Sequence, residues 1–356
     1  MDLETFNRLL AIGFEKGVSD IHFQVGYPPL FRARGQLIHS KLKNLTDQDT
    51  HDIVKTILQK NRREVKDHFT EIDTSYSLEE VGRFRVSIFR QQNHFGIVMR
   101  AIPIEVRNLE DLNLPSVLAE IGNERRGLIL VTGPTGNGKS TTVAALIRHI
   151  NETRQSNILT IEDPIEFLFS PGKGCVVQRE IGVDTPDFST AVRTAMRMDP
   201  DVIMVGELRD LETIDSALKA AETGHLVIST LHTHGIISTI GRILSYFPMD
   251  AQEVLRQRLA DILIASISLR LLPTKEQDGL VPAVEIMRTT PSIQACIRDP
   301  DRFTEIQKYM DKGRDEYQMQ TFDQHLLELC KSNVVSLDAA LQVSSSTELE
   351  RNIMVS

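Results

Sequence analysis

The chain has 356 residues, of which 41% are hydrophobic and 25% charged, and its formal net charge is -9. This length favours two domains with separate cores, and the acidic balance argues against broad electrostatic binding to nucleic acid or anionic lipid. No apolar run is long enough to predict a membrane span, and the acidic start MDLETFNRLL lacks the basic region of a signal peptide. We therefore expect a cytoplasmic protein whose partners are proteins.

Residues 1–103 predict a small α+β domain. An amphipathic helix is followed by short strands at DIHFQV and LFRARGQLI, and Thr46 begins a second helix with Asp49 in a capping pattern. The runs GRFRVSIFR and FGIVMRAIP flank the polar turn QQNH and predict an antiparallel hairpin. Alternation along the first of these strands places Arg85 on the exposed face. Residues 104–115 are bounded by proline and show little periodicity, which is typical of a linker.

Residues 116–356 predict an α/β domain. Apolar β-type runs alternate with helical segments such as STTVAALIRHI and LETIDSALKAAETG; the runs are GLILVT, NILTIE, GCVVQRE, DVIMVGE and HLVISTL. Strands that are apolar on both faces and are joined by helices indicate a parallel sheet covered on both sides. Residues 259–272 predict a buried helix that continues into a strand. Beyond Phe247 we expect mostly helix.

A phosphate-binding loop is predicted between the run GLILVT and the helix that follows it. Gly133, Gly138, Lys139 and Ser140 match the pattern GxxxxGK[ST] in the strand and helix context that this motif requires. The glycines let backbone N–H groups surround phosphates, the lysine reaches the β and γ phosphates, and the serine hydroxyl binds Mg²⁺. The alternative is a glycine-rich turn that only begins a helix. We expect ATP and Mg²⁺ as ligands, held by Gly133, Pro134, Thr135, Gly136, Asn137, Gly138, Lys139, Ser140 and Thr141.

Two acidic clusters end predicted strands of the same sheet. Hydrolysis requires a carboxylate that orients or deprotonates water, and DPDVIMVGELRD places Glu207 at a strand end. The segment ILTIEDPIEF supplies Glu162, Asp163 and Glu166. Each carboxylate alone is more often a solvated strand end. Two clusters in one sheet with a phosphate-binding loop favour the catalytic interpretation.

Histidines and an arginine are further candidates for the site. His225 and His232 flank the strand HLVISTL, where an imidazole near a γ phosphate can sense or stabilise it. His232 and His234 also resemble a metal pair, although no third ligand follows at a metal-binding spacing. Arg85 is suited to complete a neighbouring active site as an arginine finger, and equally to provide solubilising charge on an open sheet face.

Long motifs in this sequence resemble the PilT/PilU group of secretion ATPases, the type IV pilus retraction motors. They cover almost the whole chain: SDIHF, GRFRVSIFRQ, GPTGNGKSTT, ILTIEDPIEF, LRDLETIDSALKAAETGHLVISTLHT and QMQTFDQHL. The resemblance implies a PAS-like amino-terminal domain, a flexible linker and a RecA-like domain. It also implies a set of site residues: Lys139 and Ser140 of Walker A, Glu207 of Walker B, Glu162, Asp163 and Glu166 of the Asp box, His225 and His232 of the His box, and the amino-terminal Arg85 and Arg100.

The resemblance further implies a homohexamer that hydrolyses ATP to retract pili and drive twitching motility. Such a motor lies on the cytoplasmic side of the inner membrane, where it meets a pilus platform protein and in some cases a paralogous motor ATPase. Asn137 replaces the usual Ser of the loop. The segment SIQACIRD stands where AIRNLIRE is typical, and it keeps Ile293, Ile297 and Arg298.

Several alternatives to a principal retraction motor remain open at this point. They are an accessory PilU-like motor, a related secretion ATPase, a nucleic-acid motor and a nucleotide sensor that does not hydrolyse its ligand. The acidic charge disfavours the nucleic-acid motor, and Glu207 disfavours the sensor. With three cysteines and no additional amino-terminal domain, the chain lacks the features that extension motors and type II secretion ATPases generally carry.

Overall fold

The computed structural model describes residues 1–33, 35–61, 69–79, 81–102, 106–277 and 279–344. The chain forms two compact units. Unit 1 comprises Met1–Glu105, Glu162–Ser170 and Arg179–Pro186, and unit 2 comprises Val106–Ile161, Pro171–Gln178 and Asp187–Ser356. Two segments from the predicted 116–356 domain thus group with the amino-terminal residues, which the contiguous division at 103 and 116 did not foresee. In the predicted linker, the described residues 106–115 contain turns but neither helix nor strand.

Unit 1 contains an antiparallel six-stranded sheet in the order β3-β2-β1-β6-β5-β4. Its helices α1 and α2 pack with the sheet around a core that includes Phe6, Phe23 and Phe84. The elements are α1 (Leu3–Glu15), β1 (Asp20–Gln24), β2 (Leu30–Ala33), β3 (Gln36–His39), α2 (Asp47–Lys60), β4 (Glu71–Leu78), β5 (Gly82–Gln91) and β6 (His94–Ile102).

Local signals in this unit form as the sequence predicts. Thr46 and Asp49 make a reciprocal capping box at the start of α2, in which two otherwise unpaired backbone N–H groups find acceptors. Strands β5 and β6 pair as the predicted hairpin, and Gln92 and Asn93 at its tip both have positive φ, as a tight two-residue turn requires. Strand β4 was not predicted.

The second sheet has seven strands in the order β13-β12-β7-β11-β10-β8-β9. The pairs from β12 to β8 are parallel, and β13 pairs antiparallel with β12. The elements are α3 (Val117–Gly122), β7 (Gly127–Thr132), α4 (Lys139–Thr153), β8 (Asn157–Glu162), β9 (Cys175–Glu180), α5 (Phe188–Ala195), β10 (Val202–Val205), α6 (Leu211–Glu222), β11 (Leu226–Leu231), α7 (Ile236–Ser245), α8 (Gln252–Ile262), β12 (Leu263–Pro273), β13 (Leu280–Arg288), α9 (Pro291–Arg298), α10 (Ile306–Lys312), α11 (Arg314–Tyr317), α12 (Phe322–Lys331) and α13 (Leu337–Val343).

The central strands are buried along their whole length, and this confirms the predicted parallel α/β sheet. Every residue of β7, β10 and β11 is buried, as expected for strands covered by helices on both faces. The predicted passage from helix to strand occurs where α8 meets β12. The expectation of mostly helix beyond Phe247 missed β13, because a strand buried on both faces lacks the alternation that identifies strands in a sequence.

Within the described ranges, none of the helices combines the length and the apolar character that a membrane crossing needs.

Candidate active site

The loop between β7 and α4 has a backbone that only glycine adopts easily. Gly133, Gly136 and Gly138 have φ of +144°, +79° and +81°. A Cβ added at Gly133 would lie 2.5 Å from the carbonyl oxygen of Leu269, so the loop begins in direct backbone contact with β12. Around Gly136 nothing lies within 4 Å of such a Cβ. The loop is therefore closely packed where it leaves the sheet and open at its tip.

Lys139 closes the loop from within. Its buried ammonium donates to the carbonyl oxygens of Gly133 and Pro134, both at 3.0 Å. Asn137 binds both β12 and the loop itself. Its amide oxygen accepts from the Leu271 N–H at 2.8 Å, and its amide nitrogen donates to the Thr135 carbonyl at 3.2 Å. The asparagine side chain thus ties the loop to β12.

The amino end of α4 fits a phosphate group with its magnesium ion. This helix has 15 residues, and the N–H groups of its first turn lack intrahelical acceptors and lie at the positive end of the helix dipole. Ser140 lies exposed in that turn, with Thr141 half-buried beside it. A hydroxyl, an ammonium and backbone N–H groups are the donor set that phosphate and Mg²⁺ sites use.

Glu207 and His232 lie at the carboxyl ends of β10 and β11, at the same edge of the sheet as the loop. The imidazole Nε2 is 3.4 Å from Glu207 Oε1, and Nδ1 is 3.2 Å from Thr135 Oγ1 and 3.3 Å from Lys139 Nζ. Arg209 binds the other carboxylate oxygen of Glu207 through Nε at 2.9 Å. The structure thus joins the predicted loop, carboxylate and histidine in one cluster.

These contacts select one tautomer of His232. An ammonium has only donors, so Nδ1 accepts a hydrogen bond from Lys139. With Nδ1 as the acceptor, Nε2 is the ring nitrogen that carries a proton toward the Glu207 carboxylate, 3.4 Å away. His232 therefore connects the lysine of the loop to the candidate catalytic carboxylate.

Hydroxyl groups of β11 hold the segment that carries Glu207. Ser229 and Thr230 donate to the carbonyl oxygens of Val205 and Gly206 at 2.6 and 2.7 Å. The Leu208 N–H donates to the Thr230 carbonyl at 3.1 Å. Strand β10 ends at Val205, and these hydrogen bonds attach the residues around its end to β11. They therefore fix the backbone that carries the Glu207 carboxylate.

His225 lies at the opposite end of β11 from His232. The six residues of β11 lie between the two histidines, which places them about 23 Å apart along the extended strand. Its Nδ1 lies 2.9 Å from the Ala220 carbonyl and 3.2 Å from Thr223 Oγ1, at the end of α6. The structure does not bring His225 to the loop of its own chain, because a single strand carries its two ends to opposite edges of the sheet.

The segment with Glu162, Asp163 and Glu166 belongs to unit 1. The Glu162 carboxylate is buried and accepts from the Glu166 N–H at 3.4 Å, while Asp163 is exposed. Glu166 Oε1 lies 3.6 Å from Arg85 Nη1, and both side chains are about two-fifths exposed. An exposed pair at this distance contributes less than about 1 kcal/mol. The structure thus brings Arg85 and Glu166 together in a weak ion pair.

A buried ion pair supports this arrangement, and sequence reasoning missed it. Glu180, only 1% exposed, accepts from Arg83 Nη2 at 2.5 Å, from Ser75 Oγ at 2.8 Å and from the Ile165 N–H at 3.3 Å. It therefore joins β5 to the segment that carries Glu166. The only sequence signal was a charged residue ending the apolar run GCVVQRE.

Arg100 lies opposite Arg85 in the sheet register and is more exposed. Its Nε donates to Asp20 Oδ1 at 2.9 Å. Burial of Asp20 opposes ionisation, but the hydrogen bonds from Arg100 and Ser19 outweigh it and lower the pKa of Asp20. Arg100 is thus held by a charged partner on β1.

Among the residues that the structure describes, no group of three or more His, Cys, Asp or Glu is arranged to hold a metal ion.

A protein-family model described as type II/IV secretion system protein matches residues 14–332. The chain belongs to this family. The type IV pilus retraction ATPase PilT of Pseudomonas aeruginosa is 41% identical over 340 residues, which cover 96% of this chain and 98% of that protein. The type IV pilus ATPase PilU of the same organism is 36% identical over 342 residues, covering 96% of this chain and 89% of PilU.

A solved structure of the pilus retraction motor PilT with bound ADP is also similar. It matches with a TM-score of 0.87 at 41% identity, over 97% of this chain and 98% of that one. The predicted resemblance to the PilT/PilU group, the α/β secretion ATPase fold and the identification of an ATPase are confirmed.

Proposed function

We propose that this secretion ATPase powers retraction of type IV pili from the cytoplasmic side of the inner membrane. The observation that carries the proposal is the contact series from Lys139 through His232 to Glu207 at the edge of the sheet. It joins the phosphate-binding loop to a carboxylate suited to act on water. The similarity to PilT extends over 96% of the chain, so it includes both units and not the nucleotide loop alone.

When bound, ATP supplies the phosphoryl group that passes to water, and Mg²⁺ neutralises part of its charge. Lys139 and the first turn of α4 would bind the phosphates, and the Ser140 hydroxyl would be a ligand of the magnesium ion. Glu207 orients water and accepts its proton. The Nε2–H of His232 and the guanidinium of Arg209 fix the two oxygens of that carboxylate. Glu162 and Asp163 are proposed to contribute to nucleotide binding.

Replacing Glu207 by glutamine tests the proposed chemistry. The amide keeps the shape of the side chain but accepts no proton, so we expect kcat to fall by about 10²-fold or more while nucleotide affinity stays within about 3-fold. Glu276→Gln is the matched control, because Glu276 lies exposed in the turn between β12 and β13. Unchanged turnover in Glu207→Gln would disprove the role of this carboxylate.

We further propose that Arg85 acts as an arginine finger in a homohexamer. The weak pair with Glu166 holds the guanidinium near the surface, from which it can move at a cost below about 1 kcal/mol. Arg100, two-thirds exposed beside it, is proposed to support the same site. In a ring, opening and closing of subunits would turn hydrolysis into motion of the platform protein.

Mixing inactive variants tests whether Arg85 acts across subunits. Arg85→Ala lacks the finger and Lys139→Ala lacks the phosphate contact, so some interfaces in a mixed ring recover both. We expect ATPase activity to reappear on mixing. If subunits exchange and no activity returns, the arginine acts within its own chain, and normal turnover of Arg85→Ala alone would show that it is a surface charge.

An accessory motor is the second candidate, because the similarity to PilU also covers 96% of the chain. In α9, the retained Ile293 and Ile297 are core residues, and Arg298 binds Asp261. Of the changed positions in SIQACIRD, Cys296 is also buried in the core, where AIRNLIRE has leucine. Deletion of the gene, followed by counting of surface pili and measurement of twitching, distinguishes a principal motor from an accessory one. Loss of twitching with excess pili indicates the principal motor, and retained twitching the accessory one.

A further inference from the structure

Two charged side chains from β12 and β13 hold the His-loop, which we define as residues 232–235 between β11 and α7. Glu285 on β13 accepts from the N–H of Ile236, the first residue of α7, at 3.0 Å. Arg270 on β12 donates through Nη2 to the carbonyl oxygen of His234 at 3.0 Å. These two hydrogen bonds therefore attach the His-loop to β12 and β13, one at His234 within the loop and one at Ile236 directly after it.

The Glu285 carboxylate packs directly against the backbone of the His-loop. The residue is 6% exposed, and a Cβ added at Gly235 would lie 3.3 Å from its Oε2. In the strand register Glu285 lies opposite Ser268, so Arg270, two residues further along β12, points to the same face. Glu285 is buried and Arg270 is half-buried, and the two side chains together form one clamp on the His-loop.

Arg270 also connects the clamp to the carboxyl-terminal helices. Its Nη1 donates to the carbonyl oxygen of Val343, the last residue of α13. Its guanidinium lies 4.0 Å from the ring centroid of Phe322, the first residue of α12. A planar guanidinium with two carbonyl partners and an aromatic ring beneath it has little freedom to move. The carboxyl-terminal helices α12 and α13 therefore hold in place the Arg270 guanidinium that binds the His-loop.

We propose that Glu285 and Arg270 are positioning residues for hydrolysis, which fix the His-loop so that the His232 imidazole is held against Lys139 and Glu207. The inference rests on the ATPase function proposed above. A clamp that served only stability would make unfolding easier, but the folded protein would turn over at the normal rate. A clamp that positions His232 changes kcat in the folded protein.

Steady-state kinetics of two Glu285 variants give the first test. Glu285→Leu removes the acceptor for the Ile236 N–H, so we expect kcat to fall about 10-fold or more with KM within about 3-fold. Glu285→Gln keeps an acceptor oxygen at the same place and should retain kcat within about 3-fold. Glu276→Leu, in the exposed turn, is the control. Equal kcat for folded Glu285→Leu and wild type would overturn the proposal.

A double variant shows whether the effect passes through His232. If Glu285 acts by placing the imidazole, Glu285→Leu causes no further loss of kcat once His232 is already alanine, because coupled residues are not additive. A full additional loss in the His232→Ala background would mean that Glu285 acts on turnover by another route. That outcome also contradicts the proposal.

Hydrogen exchange without nucleotide gives a readout independent of activity. We expect faster exchange of the peptide 232–240 in Glu285→Leu than in wild type, with the peptide covering β7 unchanged. If Glu285→Leu fails to fold, Arg270→Lys replaces it, since lysine keeps the charge but cannot hold two carbonyl groups and the ring in one plane. Unchanged exchange in a folded variant overturns the clamp. A wild type without ATPase activity would instead disprove the proposed function, and exchange would still decide whether the clamp holds the loop.

Discussion

Replacing Glu285 by glutamine should make the stability of unit 2 less dependent on pH. Burial raises the pKa of this carboxyl to about 7, from an ordinary value of 4.5. The Ile236 N–H and the charge of Arg270 oppose the rise, whereas Asp323 and Asp311 add to it. The nearby His325 supplies no compensating charge, because burial lowers its pKa to about 4.

The direction of the effect follows from where the proton is held more tightly. The folded state binds it more strongly than the unfolded chain, so the stabilisation is complete below pH 4.5 and is lost as the pH rises through about 7. At about 1.36 kcal/mol per pKa unit the whole loss is roughly 3 kcal/mol, of which about 2 kcal/mol falls between about pH 5.5 and 8. Glutamine does not titrate. The stability of Glu285→Gln relative to wild type should therefore increase by about 2 kcal/mol across this interval.

Urea unfolding measured by pulsed hydrogen exchange of the β13 peptide is the suitable assay. The chain has no tryptophan, and two units need not unfold in one step, so a local probe is required. The control Glu276→Gln should show the same urea stability as the wild type at about pH 5.5 and at about pH 8. If the stability difference between wild type and Glu285→Gln is the same at about pH 5.5 and about pH 8, Glu285 does not change its ionisation in this range.

Three further substitutions test the site and its support. Lys139→Ala removes the ammonium from the loop, so calorimetry should detect no nucleotide binding, and binding as tight as in wild type would contradict the assignment. Arg83→Met leaves the buried Glu180 carboxylate unpaired and should destabilise unit 1 by about 3–5 kcal/mol, seen as faster exchange in β5, with part of the loss recovered when Glu180 is also made methionine. Asn137→Ser loses the bond to the Leu271 N–H; thermal denaturation should show a loss of about 1 kcal/mol with nucleotide affinity kept, and a large loss of affinity would mean that the side chain serves the ligand.

The parts of the site that the sequence predicted are local in the chain. The loop around Lys139 is a strand, a turn and the start of a helix within about ten residues, so its motif contains its own structural context. The exposed face of Arg85 followed from alternation over a single strand. Glu207 was identified because the apolar run before it ends abruptly.

The parts that were missed depend on distant pairings. Glu285 binds Ile236, the residue that follows the His-loop, across 49 residues, and Glu180 binds Arg83 across 97. Neither acidic residue has a local pattern that distinguishes it from a solvated charge. The separation of His225 from His232 needed only the direction and length of β11, but the resemblance to a shared His box grouped the two residues by motif.

The hydrogen bonds of Lys139 have a consequence for the heat of ligand binding. The ammonium has three N–H groups, and Gly133 O, Pro134 O and His232 Nδ1 lie at 3.0, 3.0 and 3.3 Å from it. An anion that accepts from this ammonium takes the place of one of these acceptors, so binding exchanges one hydrogen bond for another. The contribution of this ammonium to the binding enthalpy is then small, because it is the difference between the energies of two similar hydrogen bonds. If the His232 imidazole is the acceptor that the anion displaces from Lys139, binding of the anion also changes the contact between His232 and Glu207.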